Sequence, residues 1–121
     1  MHNLEELNVW VKSRDMARKM RKITRIFPTE EKYRLCDQLI RSSRSVSANI
    51  AEGFGRYHMQ ETIQFSRIAK GSLYETLNHL YVALDEGYIT TDVFNDLRSE
   101  IEVINKMING YIYYLKKAKN K

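Results

Sequence analysis

His58, His79, Glu52, Glu61 and Glu75 are the residues whose types could bind a metal ion if the chain were helical. Carboxylate-bridged di-metal sites in helical bundles take Glu-x-x-His from two helices and one further Glu from each of the other two. This sequence contains no Glu-x-x-His. Glu75 and His79 are four apart, and the stretch 8–26 has no glutamate at all. The ligand count fails, so no metal site is expected. The serines between positions 42 and 47 lie near no histidine in sequence, and no glycine elbow presents one as a nucleophile. Cys36 stands alone, which excludes an internal disulfide and a multi-cysteine zinc site; a small buried hydrophobe is the expected role. No catalytic residue, no cofactor and no enzymatic activity follow from these residues.

The arginines suggest a different chemistry. Arg14, Arg18, Arg21 and Arg25 recur at three and four residues and would line one side of a helix over about 16 Å. Guanidinium forks suit phosphate oxygens, so the line is a candidate surface for RNA or DNA. A solvated helix face is the plain alternative. The basic run at the end of the chain, with Lys116 and Lys117 beside Tyr113 and Tyr114, is a second candidate, read as a flexible basic tail with Lys119 and Lys121.

A third pattern runs from Gln38 to Gly55. Gln38, Arg41, Ser45, Asn49 and Glu52 stack along one line of a helix, flanked by small residues that would admit a close neighbour. The expected role is a structural polar network joined by Ser72 and Glu75 of the following helix, with Arg41 pairing Glu75. Polar groups of this kind can fix register and oligomeric state at some cost in stability.

The elements that must position these groups are four helices. The first is expected from an N-cap at Asn8 to Ile26, stopped by Phe27-Pro28, with Val9, Ser13, Met16, Met20, Ile23 and Phe27 toward the core. Thr29 caps the second, expected to run about 24 residues to a break at Gly53 and Gly55 in left-handed conformations. The third spans about Gln60 to Glu86 and is apolar on two sides. That implies either two partners inside the bundle or an oligomer, with Tyr74 and Tyr81 as candidate interface residues. Gly87 ends it, Thr90 or Thr91 caps the fourth, and Phe94, Leu97, Ile101, Ile104, Ile108, Tyr111 and Leu115 repeat at three and four. Short connections make the expected architecture an all-α, up-down-up-down four-helix bundle occupying residues 1–121 as one domain.

The chain's balance is basic: 20 Lys+Arg against 15 Asp+Glu among 121 residues, a formal charge of +5. Its distribution is uneven. Seven basic residues and one acidic residue fall between Lys12 and Arg25, whereas Asp85 to Glu102 is acidic. No apolar run is long enough to span a bilayer, and the N-terminus lacks the build of a signal peptide, so no membrane association and a cytoplasmic location are expected.

Several fragments recur together: Leu7, Val9 and Trp10; Phe27-Pro28 with Glu31; Gln38, Arg41, Ser45 and the run Asn49-Ile50-Ala51-Glu52-Gly53. Ala69-Lys70-Gly71-Ser72 followed by Glu75 fits an A-x-G-S-x-x-E pattern. With this spacing the sequence resembles the family of four-helix-bundle proteins encoded in intervening sequences of bacterial 23S rRNA genes. The resemblance implies a homopentameric ring, and no enzymatic activity. One relative in the family serves diversity-generating retroelements as an accessory factor thought to bind nucleic acid and a reverse transcriptase. From residues and resemblance together, a homo-oligomer that binds RNA or DNA is the leading reading. A homo-oligomeric protein-binding scaffold with an ordinary basic surface is the alternative.

Overall fold

The computed structural model describes residues 3–119. Four helices, α1 (Asn8–Ile23), α2 (Leu35–Phe54), α3 (Met59–Asp85) and α4 (Thr91–Lys119), run alternately up and down, and the described residues contain no strand. α3 packs against both α2 and α4, and α1 packs mainly against α2. Both apolar sides of α3 therefore have partners within the bundle. The core stripe of α1 is as its spacing requires, with Val9, Ser13, Met16 and Met20 buried and Trp10 and Ile23 half-buried at the edge. It meets Leu39, Val46 and Ile50 of α2, Leu73 and Leu80 of α3, and Ile101, Ile104 and Ile108 of α4 in one cluster.

The helix ends differ from the sequence expectation in several places. Leu7, not Asn8, is the N-cap of α1, and Asn3 forms a capping box with Glu6 on the preceding Leu4–Glu6 turn. The α1 cylinder tightens into a 3₁₀ turn at Thr24–Ile26, where the Thr24 hydroxyl donates to the Arg21 carbonyl at 2.7 Å.

α2 is shorter than expected, at 20 residues. Thr29–Glu31 forms a separate 3₁₀ turn, and Arg34, at φ −119° and ψ −101°, leaves the helical region before α2 begins. Tyr88 holds that turn out of line, its ring 5.5 Å from Phe27 and its hydroxyl on Glu31. Tertiary contacts here override a local capping signal.

α2 ends at Phe54, within the expected Gly53–Gly55 break, but Gly53 is buried in the last helical turn and is not left-handed. A Cβ there would sit 2.9 Å from Cβ of Phe65 and 3.2 Å from the Thr62 carbonyl oxygen, so the missing side chain lets α3 approach. The Thr62 hydroxyl completes the contact by donating to the Gly53 carbonyl at 2.8 Å. Gly55 caps the helix with φ −79°, an ordinary right-handed value. Only Gly87 among the described residues has positive φ, at 76°. There the Gly87 and Tyr88 amides donate to the carbonyls of Leu84 and Ala83, the Schellman pattern that closes a helix with glycine. Thr90 caps α4, its hydroxyl accepting from the Val93 amide at 3.2 Å.

Candidate nucleic-acid interface

Burying one stripe of α1 fixes where its other side points. Arg14, Arg18, Arg21 and Arg25 are all exposed. Arg14 lies over the Trp10 ring, 5.6 Å from its centroid, which holds the guanidinium near the helix without neutralising it. The line is not free of carboxylates, since Arg18 meets Asp15 at 3.5 Å. Both side chains are more than half exposed, so the contact is weak and leaves most of the charge in play. Lys19, toward α4, meets Glu100 at 2.7 Å, and this hydrogen bond, more than the accompanying charge attraction, pushes its amine upward in pKa. Glu100 of α4 thus takes up Lys19, while Arg14, Arg18, Arg21 and Arg25 lie toward α2.

α2 adds to it. Arg44 is exposed on the α1 side and lines a groove with Arg14, Arg18, Arg21, Lys22 and Arg25. A second cleft, of about 440 Å³, continues past the Thr29–Glu31 turn and shares Arg21, Arg25 and Arg44 with the first. Lys32 and Tyr33 stand on its rim, with Asp37 the carboxylate among its lining residues. Cys36 is at its base, its thiol 3.6 Å from the Thr24 carbonyl. Burial, and then the Glu31 charge, push that thiol up, so it stays neutral and adds no negative charge to the cleft. The α1 line was visible in the sequence by its spacing. Arg44 was not, because it belongs to another helix, and only the α1–α2 packing brings it alongside.

Lys116, Lys117 and Lys119 do not form a flexible tail: they are exposed residues on the last turns of α4. Lys117 sits 4.8 Å from the Tyr113 ring centroid, and Lys119 bonds to Gln60 at the start of α3. In an up-down-up-down bundle that is the end opposite Arg25. These lysines and the arginine groove are separate surfaces. Lys121 lies outside the described residues.

The polar line of α2 divides by depth. Ser45 and Asn49 are half-buried at the α3 contact, where the Ser45 and Ser72 hydroxyls lie 2.9 Å apart and Asn49 Nδ2 donates to the Ser45 carbonyl at 2.8 Å. Gln38, Arg41 and Glu52 are exposed, and Glu52 pairs with Arg56 at 3.2 Å. The expected Arg41–Glu75 ion pair is not formed; Glu75 instead meets His79 Nε2 at 3.2 Å, although both border a cleft with Gln38 and Arg41. A deeper layer of hydroxyls lies beneath this line, formed only where α2 and α3 pack together. The Thr76 hydroxyl donates to Ser42 Oγ at 2.9 Å, both residues being buried, and Ser42 donates to the Leu39 carbonyl. These contacts use each hydroxyl inside the helix pair, and among the described residues no three His, Cys, Asp or Glu side chains are grouped to hold a metal ion.

Tyr74 and Tyr81 occupy the outer edge of the α3–α4 seam, 52% and 39% exposed. Arg98 donates to the Tyr81 hydroxyl at 2.7 Å, and the Tyr81 ring packs 4.7 Å from Phe94. Tyr74 has only a long contact, 3.5 Å from Asn105 Nδ2.

A protein-family model described as "23S rRNA-intervening sequence protein" matches residues 5–110. The fold is similar to a crystal structure of a protein of unknown function from the S23 ribosomal protein family of Bacteroides thetaiotaomicron, with TM-score 0.80 and 25% identity over 87% of this chain and 95% of that one. No curated protein matches the chain. Among the described residues, no helix is long and apolar enough to cross a membrane.

Proposed function

The chain belongs to the 23S rRNA-intervening sequence protein family, and from that premise we propose that it is a non-enzymatic, homo-oligomeric protein that binds RNA or DNA through the groove between α1 and α2. The observation that carries this reading is the convergence of Arg21 of α1 and Arg25 of the 3₁₀ turn that continues it with Arg44 of α2 on two adjoining clefts. Three guanidinium groups that share a cleft with one exposed carboxylate, Asp37, leave an excess of positive charge there, and a phosphate backbone would neutralise it while releasing counterions. Arg14 and Arg18 extend the track along α1. The exposed Tyr74 and Tyr81 are the surface proposed for self-association, and a pentamer is the state that the family resemblance implies. A symmetric assembly would repeat the groove once per subunit and multiply its affinity for a long strand.

Fluorescence anisotropy with labelled RNA and DNA fragments tests the reading. The triple variant Arg21→Gln, Arg25→Gln, Arg44→Gln should lose most binding, while Lys116→Gln, Lys117→Gln, Lys119→Gln should keep it. Loss confined to the lysine variant would move the interface to the far end of the bundle. If the parent binds neither fragment at low salt, the protein-binding scaffold is the better account.

A further inference from the structure

The cleft of about 440 Å³ has a feature that phosphate binding alone does not explain. Tyr33 stands on its rim with 82% of its surface exposed, among the residues 32–34 that join the Thr29–Glu31 turn to α2. An exposed tyrosine is not unusual by itself. Here it shares one cleft with Arg21, Arg25 and Arg44, and the turn just before it is anchored through Glu31. Tyr88 bonds Glu31 at 2.8 Å, and Phe27, in ring contact with Tyr88, lines the cleft wall. The ring therefore follows closely on a turn tied to the connection between α3 and α4. Lys32 Nζ lies 5.3 Å from its centroid and enriches the cationic rim.

An aromatic ring beside a row of guanidinium groups is the combination that grips single-stranded nucleic acid, with bases stacking on the ring while cations follow the phosphates. A duplex uses only the second half, because its bases are already stacked on one another. Building on the groove reading above, we infer that the cleft takes one unpaired nucleotide, its base stacked on Tyr33 and its flanking phosphates on Arg21, Arg25 and Arg44. The ligand class is thereby narrowed to single-stranded RNA or DNA, or to unpaired loops and ends. Asp37 on the same rim adds a hydrogen-bond acceptor, which suits bases that carry an exocyclic amino group over uracil or thymine.

Anisotropy titrations at one salt concentration, using a single strand and a blunt duplex of equal length in both RNA and DNA, test this with Tyr33→Ala, Tyr33→Trp and the triple glutamine variant of the groove. Parent protein should prefer single strands. Tyr33→Ala should weaken single-strand binding by about 5- to 150-fold, the range of one lost base–aromatic stack, and leave duplex binding unchanged, while Tyr33→Trp retains the preference. Melting curves confirm that a substitution at so exposed a position leaves the fold intact. If Tyr33→Ala binds single strands as the parent does while the triple variant does not, the stacking inference is wrong and the groove reading stands. If the parent and the triple variant bind alike, the groove reading falls, and this inference with it.

Discussion

The Tyr88 hydroxyl donates to Glu31 Oε2 at 2.8 Å, tying the connection between α3 and α4 to the turn that precedes α2. Its bond to Glu31, followed by burial, pushes the phenol from 10 up to about 12. The protonated phenol is the donating form, so the tie contributes fully below pH 10 and is lost as pH rises toward about 12. Urea unfolding of the parent and Tyr88→Phe should show a stability gap that is constant around neutrality and shrinks above pH 10. A gap that stays flat through that range would mean that the bond contributes nothing.

Gly71 lies inside α3 and Gly53 in the last turn of α2, both at helical positions, where alanine is ordinarily favoured by up to about 1 kcal/mol. At Gly53 the added Cβ would meet Cβ of Phe65 at 2.9 Å, an atom fixed to its own backbone, so the helices must separate. Overpacking should win, and Gly53→Ala should cost a net ~1–2 kcal/mol in chemical denaturation. At Gly71 nothing lies within 4 Å, and Gly71→Ala should gain ~0.5–1 kcal/mol. A loss at Gly71 would show that a second chain covers that face of α3.

The hydroxyl layer between α2 and α3 should outweigh the exposed ion pairs. Thr76→Val keeps shape but removes the donor to Ser42 in a fully buried site, at a cost of ~1–2 kcal/mol. Glu52→Ala breaks a pair whose side chains are 57% and 42% exposed, and should cost ~0.5 kcal/mol or less. Equal effects in thermal melts would contradict this ranking.

Self-association is tested at Tyr74, whose substitution disturbs little inside the bundle. Light scattering on the parent should give a mass several times 14.4 kDa, and Tyr74→Lys should reduce it toward that value. A parent that elutes as a monomer would remove the oligomer from the account. An undiminished mass for the variant would move the interface away from the α3–α4 seam.

Helical periodicity made the four helices, the core stripe of α1 and the outward line of its arginines legible in the sequence, because each depends on spacing within a single element. Gly87 and a cap at Thr90 or Thr91, which proves to be Thr90, were legible for the same reason: their hydrogen bonds close within a few residues. What spacing could not reveal depends on pairs of elements. The Thr29 signal reads as a helix cap until Tyr88, nearly sixty residues on, holds its turn aside. Gly53 reads as a terminator until Phe65 shows that it is a contact. The exposure of Gln38, Arg41 and Glu52 was hidden likewise, since a polar line reads alike at a helix seam and at the surface. Arg44 joins the basic track only through the crossing of α1 and α2.

The dependence of binding on salt tests the central claim most directly. Each arginine that holds a phosphate should contribute about 0.7 to 0.9 to the fall of log K with log salt. With Arg14, Arg18, Arg21, Arg25 and Arg44 on one track, the parent binding a single-stranded RNA, at about 0.7 per contact, should show a slope of about −2 to −3.5. The variant with all five changed to glutamine should bind weakly with a nearly flat slope while keeping its helicity. Equal slopes for parent and variant would contradict the account, because the phosphates would then be held somewhere other than the groove between α1 and α2.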